Sequence, residues 1–116
     1  MRIGELAETT GATARALRYY EEQGLLHPER TSSGQRVYPA DAVEQVKWIR
    51  LMLANGLPSR AIVKLRRCES VDEVTPEQQS VLREEYARVE AEFLAAAATK
   101  ARFEEMLDFI DGTRTD

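Results

Sequence analysis

Between Pro76 and Gly112 the chain runs without a glycine or proline, the two residues that most readily end a helix. The stretch opens on Thr75-Pro76-Glu77-Gln78: a capping Thr, Pro at the first helical position and Gln three residues past the cap. That is the capping-box arrangement. The spacing predicts one helix of about 36 residues, on the order of 54 Å long at 1.5 Å per residue. Its apolar residues recur as Leu82, Tyr86, Val89, Phe93 and Ala96, then Phe103, Leu107 and Ile110, with Lys100 the only polar member of the series. Steps that alternate between four and three make a coiled-coil seam. A single helix this long cannot bury that stripe on the small domain that precedes it, so it needs a partner. A second copy of the chain is the simplest one, and Ala95 to Ala98 would let two helices approach closely. The alternative is a long helix folded back on its own domain.

Charge is divided along the 116 residues in the same way. Residues 1–67 hold eleven basic and seven acidic side chains, a net of +4, whereas residues 68–116 hold five basic and thirteen acidic, a net of −8. The overall −4 averages over a basic front and an acidic rear, which points to two jobs in one chain. No apolar run approaches the roughly 18 residues of a membrane span. Met1-Arg2-Ile3-Gly4-Glu5 leads straight into amphipathic sequence, so no secretory signal is expected. The lone thiol, Cys68, forms no disulfide within the chain and no zinc cluster, which makes the cytoplasm the expected compartment.

The front reads as short elements. Residues 3–10 form a helical pattern stopped by Gly11, Thr13 can cap a second helix over 14–23, and Gly24 ends that one. Two helices joined by a short Gly-bearing turn fit either a helix-turn-helix or an ordinary helical corner. Pro28, Gly34 and Thr31-Ser32-Ser33 exclude a helix from Leu25 to Tyr38, while Arg36-Val37-Tyr38 has strand character. A small hairpin or wing turning near Gly34 is expected. Pro39-Ala40-Asp41 should start a third helix that ends at Asn55-Gly56, and Pro58-Ser59 a fourth that runs through Leu65. Trp48 on the third helix reads as core filling.

On the second helix Arg15, Arg18, Tyr19 and Glu22 fall at i, i+3, i+4 and i+7 and share one face, while Leu17 and Tyr20 turn towards the core. Arginine can fork onto guanine or grip phosphate, and a tyrosine hydroxyl can bond phosphate. A solvated face with an Arg18–Glu22 pair is the bland reading, and such a pair contributes little. The wing adds Arg30, Gln35, Arg36 and Tyr38, and Ser59-Arg60 opens the fourth helix as a third place for an anion. Basic elements on either side of one helix favour a footprint on nucleic acid.

These residues carry a resemblance. Ile3-Gly4-Glu5-Leu6-Ala7, Thr13-Ala14-Arg15-Ala16-Leu17-Arg18-Tyr19-Tyr20-Glu21, Gly24-Leu25-Leu26-His27-Pro28-Glu29-Arg30 and Gly34-Gln35-Arg36-Val37-Tyr38 stand in order and closely resemble the MerR-family transcription regulators. Asn55-Gly56-Leu57-Pro58 and the long terminal helix extend the likeness over nearly the whole chain. The resemblance implies a mainly α protein: a winged helix-turn-helix DNA-binding domain over residues 1–70, then a dimerisation helix over 75–112 that pairs as an antiparallel coiled coil. By the same carry-over Thr13, Ala14, Arg15, Arg18 and Tyr19 face DNA, Arg36 and Tyr38 supply wing contacts, and Ser59 and Arg60 a second phosphate clamp. Tyr20, beside Tyr19, is counted with the DNA-contacting set. The dimerisation set is Leu82, Tyr86, Val89, Phe93, Ala96, Phe103, Leu107 and Ile110. Two departures are mild: Ala12 stands where Val is usual and should loosen the turn slightly, and Pro58 replaces a Ser or Thr cap.

What the family does is therefore the expectation: a bacterial, nucleoid-associated homodimer that bends and untwists double-stranded promoter DNA and acts on RNA polymerase indirectly, through that DNA. The implied form is a short one without a C-terminal effector domain. Metal-sensing relatives place a Cys near the start of the long helix and further thiols after it. Cys68 precedes that helix, so no metal or cofactor is expected, and His27 alone is no ligand set. Three triggers remain: none at all, a small apolar effector held by Tyr86, Phe93, Phe103, Met106 and Phe109, or a redox switch at Cys68 with Arg66 and Arg67 nearby. An enzyme is disfavoured, since no phosphate loop or nucleophile–base pair is present. An architectural or excisionase-like winged-helix DNA-binding protein is the alternative.

Overall fold

The computed structural model describes residues 1–65, 67–68 and 70–114; Arg66, Glu69, Thr115 and Asp116 lie outside them, and with Arg66 part of the redox reading at Cys68. The chain divides into two compact units, Met1–Val81 and Leu82–Asp116. The division falls six residues into the last helix.

The first unit opens with α1 (Ile3–Thr10) and α2 (Ala14–Glu22). Gly11 ends α1 in the left-handed region at φ +78°, and its N–H donates to Ala7 O at 2.9 Å. Thr10 braces the turn that follows. Its hydroxyl donates to Leu6 O (2.8 Å) and accepts from Ala12 N (3.3 Å), so a buried polar side chain is paired both as donor and as acceptor. Thr13 then caps α2, accepting from Ala16 N at 3.0 Å. At the far end Gly24 (φ +76°) lets Leu25 N reach back to Tyr20 O at 2.8 Å, the bond that closes a helix with a left-handed residue.

The wing is two short antiparallel strands, β1 (Glu29–Arg30) and β2 (Arg36–Val37), with Glu29 opposite Val37 and Arg30 opposite Arg36. Its turn is held by Gly34 N to Thr31 O (2.9 Å) and Gln35 N to Thr31 Oγ1 (3.1 Å). Arg30 Nη1 donates to Gly34 O at 3.0 Å, so this cation braces the wing from inside its own hairpin. Tyr38 follows β2 and pairs with the chain's first residue: Tyr38 N donates to Met1 O at 2.7 Å and Met1 N to Tyr38 O at 2.8 Å.

α3 (Ala42–Ala54) starts three residues later than Pro39, because Pro39–Asp41 makes a turn closed by Ala42 N to Pro39 O. Asp41 is its N-cap residue but makes no side-chain cap bond. α4 (Ser59–Ile62) is one turn long rather than reaching Leu65. Beyond it Lys64 N and Leu65 N bond three residues back, to Ala61 O and Ile62 O, which is tighter than an α-helix. Leu6, Leu17, Tyr20, Leu25, Leu26, Tyr38, Ala42, Val46, Ile49 and Ile62 form the core, with Ala12 inside it and Trp48 packed partly buried against it. Arg50, on α3, donates to Thr10 O at 2.6 Å and so satisfies a carbonyl at the end of α1.

A single 3₁₀ turn (Val71–Glu73) leads to α5 (Pro76–Arg114). The capping box forms as the sequence predicts, with Gln78 N donating to Thr75 Oγ1 (3.2 Å) and Thr75 N to Gln78 Oε1 (3.1 Å). The helix does not stop at Gly112. That glycine is not in the left-handed region, and Thr113 Oγ1 donates to Phe109 O and Ile110 O, carrying the last turn on to Arg114. At 39 residues α5 is about 58 Å long. The predicted seam residues Leu82, Tyr86, Val89, Phe93, Phe103, Leu107 and Ile110 are all exposed. No helix among the described residues is long and apolar enough to cross a membrane.

Candidate nucleic-acid interface

The cap at Thr13 fixes where α2 begins, and so which side chains face out. Leu17 and Tyr20 enter the core at 0% and 6% exposure, and the opposite face is left to Thr13, Arg15, Arg18, Tyr19 and Glu22, all exposed. Arg15, Arg18, Tyr19 and Glu22 line one shallow depression, so the four residues expected to share a face do share one. Ala14, at the start of the helix, is partly covered. Tyr19 and Tyr20 meet edge to face, with ring centroids 6.4 Å apart, so the buried ring supports the exposed one.

Two members of the expected DNA-contacting set sit elsewhere. Tyr20 is a core residue, as its position opposite Arg18 requires, and its ring presents nothing to a groove. Tyr38 is 2% exposed, and its hydroxyl donates to Glu21 Oε1 at 2.5 Å. Alternation would put Arg36 and Tyr38, two apart, on one face of a continued strand, but β2 ends at Val37 and Tyr38 turns inward, its backbone paired with Met1. Burial, reinforced by the hydrogen bond and negative charge of Glu21, pushes the Tyr38 hydroxyl up to about 12.

Arg36 remains exposed, with Nη1 3.5 Å from Glu21 Oε2. Ser59 is half-buried and Arg60 exposed on α4, which is a single turn. The described surface thus keeps three basic places, on α2, on the wing and on α4, and withdraws the two tyrosines. Glu21 was missed by sequence reasoning. It carries no charge signal of its own, being one acid in an amphipathic helix, and only the packing of Tyr38 shows what it holds.

Cys68 Sγ lies 3.7 Å from Gln78 Oε1, the same amide that caps α5. Among the described residues no three His, Cys, Asp or Glu side chains gather as a metal site.

Residues 1–67 match the model of the MerR HTH family regulatory proteins. The chain is 37% identical over 106 residues to the nodulation protein NolA of Bradyrhizobium elkanii, covering 90% of this chain and 46% of NolA. It therefore spans about half the length of that relative. Among solved structures it resembles the transcription regulator PbrR691 of Ralstonia metallidurans CH34, described in complex with lead(II) (TM-score 0.75, 24% identity, 90% of this chain and 83% of that one). It also resembles HiNmlR, described as a MerR family regulator lacking the sensor domain and bound to promoter DNA (TM-score 0.57, 20% identity, 98% and 92% covered). At these identities the likeness establishes the winged helix-turn-helix fold with its long terminal helix. With the family model matched across the whole helix-turn-helix and wing, the chain belongs to the MerR HTH family of regulatory proteins.

Proposed function

We propose that the protein is a sequence-specific transcriptional regulator that binds double-stranded promoter DNA as a homodimer, with α2 in the major groove. The observation that carries this reading is the exposed face of α2, where Thr13, Arg15, Arg18 and Tyr19 stand clear of the core on a helix fixed by its cap. Arg15 and Arg18 are the base-reading or phosphate-gripping cations, Arg36 the wing contact, and Ser59 with Arg60 the second phosphate clamp. Residues 1–70 act as the reader and 75–112 as the dimerisation helix.

Dimerisation is supported by α5, which leaves seven large apolar seam residues exposed at a coiled-coil spacing. A straight helix drifts about 20° per heptad from such a seam, so from Leu82 to Ile110 the stripe winds through roughly 80° and fits a partner that supercoils with it. An antiparallel pair places two readers at a fixed separation on two-fold-related half-sites. A rigid dimer of that kind can spend contact energy on bending and untwisting the DNA between polymerase elements, on the order of a few kcal/mol. Polymerase is then affected through the promoter. A small apolar effector would find Met106 and Phe109 beside Arg102 and Glu105 on α5, next to the seam residue Ile110.

Footprinting on the DNA upstream of the protein's own gene tests the reading. A protected, two-fold-symmetric site between the polymerase elements supports it; protection without relation to them favours the architectural alternative. Arg18→Ala should weaken binding by more than about 1 kcal/mol while leaving the dimer intact by sedimentation. Unchanged affinity would remove α2 from the groove.

A further inference from the structure

Glu21 belongs to the helix that carries the groove-facing cations, yet its carboxylate turns to the wing. One oxygen accepts the Tyr38 hydroxyl at 2.5 Å and the other lies 3.5 Å from Arg36 Nη1, with the Glu21 side chain only 11% accessible. Tyr38 is itself anchored, its ring in the core and its backbone paired with Met1. One carboxylate thereby joins α2 to both the buried end and the exposed cation of the wing.

As a charge, Glu21 works against phosphate binding. A carboxylate beside Arg36, on the helix of Arg15 and Arg18, lowers the local positive field. Its two partners give it a different use. A free arginine side chain gives up rotamer freedom when it meets a phosphate, and one already leaning on a fixed carboxylate gives up less. Arg36 has five N–H donors and is 42% accessible, so it can rest one nitrogen on Glu21 and offer the others outward.

We propose that Glu21 and Tyr38 are positioning residues for DNA recognition: they latch the wing to α2, so that Arg36 meets the duplex in one pre-set array with Arg15 and Arg18. The inference rests on the DNA-binding reading above.

The charge and positioning accounts predict opposite signs, which makes the test decisive. The probe is the duplex that the full-length wild-type chain enriches from a random-sequence pool. Affinity and its dependence on salt are measured for wild type, Arg18→Ala, Arg36→Ala, Glu21→Gln, Tyr38→Phe and the Arg36→Ala/Tyr38→Phe double variant, each well below its own melting temperature. Positioning predicts that Glu21→Gln and Tyr38→Phe each weaken binding about five- to thirtyfold. The slope of log affinity against log salt should fall by about one, the share of a single phosphate contact. Tyr38→Phe should cost far less when Arg36 is already absent. The latch is overturned if Glu21→Gln tightens binding, or if both isosteric variants lower the melting temperature and leave affinity and salt slope unchanged. Arg18→Ala separates the two levels: if it too leaves affinity unchanged, α2 is not in the groove and the latch has no array to set, and if no duplex is enriched the DNA-binding reading itself falls.

Discussion

Phe93 and Phe109 are both phenylalanines of α5 and almost equally exposed, at 68% and 73%, but they differ in register. Phe93 lies on the seam, one turn before its midpoint at Ala96, where an antiparallel partner brings the two copies close. Phe109 lies about 100° round the helix from the seam residue Ile110. If the dimer is built on the seam, covering Phe93 removes about 140 Å² of ring from water, roughly 3.5 kcal/mol per protomer at about 25 cal/mol per Å². Two copies make about 7 kcal/mol, close to five orders of magnitude in dissociation constant. Phe93→Glu forfeits that term and adds a carboxylate to the seam. A dimer of nanomolar strength would then dissociate at about 0.1 mM, so sedimentation at about 10 µM should find wild type dimeric and the variant monomeric. Phe109→Glu should stay dimeric, and far-ultraviolet circular dichroism should show both variants folded. A monomeric Phe109→Glu, or a dimeric Phe93→Glu, refutes the seam.

Other perturbations address the first unit. Tyr38 has its hydroxyl raised to about 12 against 10 when unfolded, so the stability it contributes is complete below pH 10 and is lost as pH rises through 12. That loss is about 2–3 kcal/mol, and urea midpoints between pH 9 and 12 should show Tyr38→Phe lacking it. Gly11→Ala imposes a side chain at φ +78°, with its Cβ 3.2 Å from Arg50 Nη1, and should cost about 2–3 kcal/mol in denaturant unfolding. With Arg50→Ala in place only the backbone part, about 1–2 kcal/mol, should remain. Thr75→Ala removes one arm of the capping box and should lower stability by about 1 kcal/mol in the same measurement.

Helix ends marked by backbone chemistry were legible in the sequence. Gly11, Gly24, Gly34 and Gly56 all take positive φ where a stop or turn is expected, and Thr13 and Thr75 cap where their spacing says they should. Ends that depend on neighbours were not. Gly112 continues α5, since a glycine stops a helix only when the chain turns left-handed there. α4 is cut to one turn, and α3 begins after the Pro39 turn rather than within it.

The candidate site divides along the same line. Which face of α2 points outward follows from a period of 3.6 and the apolar Leu17, so Arg15, Arg18 and Tyr19 could be read from order alone. Charge segregation and the α5 seam are likewise linear properties, and they marked out a basic front and a long helix with an apolar stripe. Only the tertiary structure decided the fate of Tyr20, Tyr38 and Glu21. Tyrosine is equally at home in a core or at a surface, and a carboxylate equally at home in solvent or on a buried hydroxyl. Choosing between those states takes contacts between residues 17 apart, as Glu21 and Tyr38 are. Such contacts are set by how α1, α2 and the wing pack, which no local periodicity encodes.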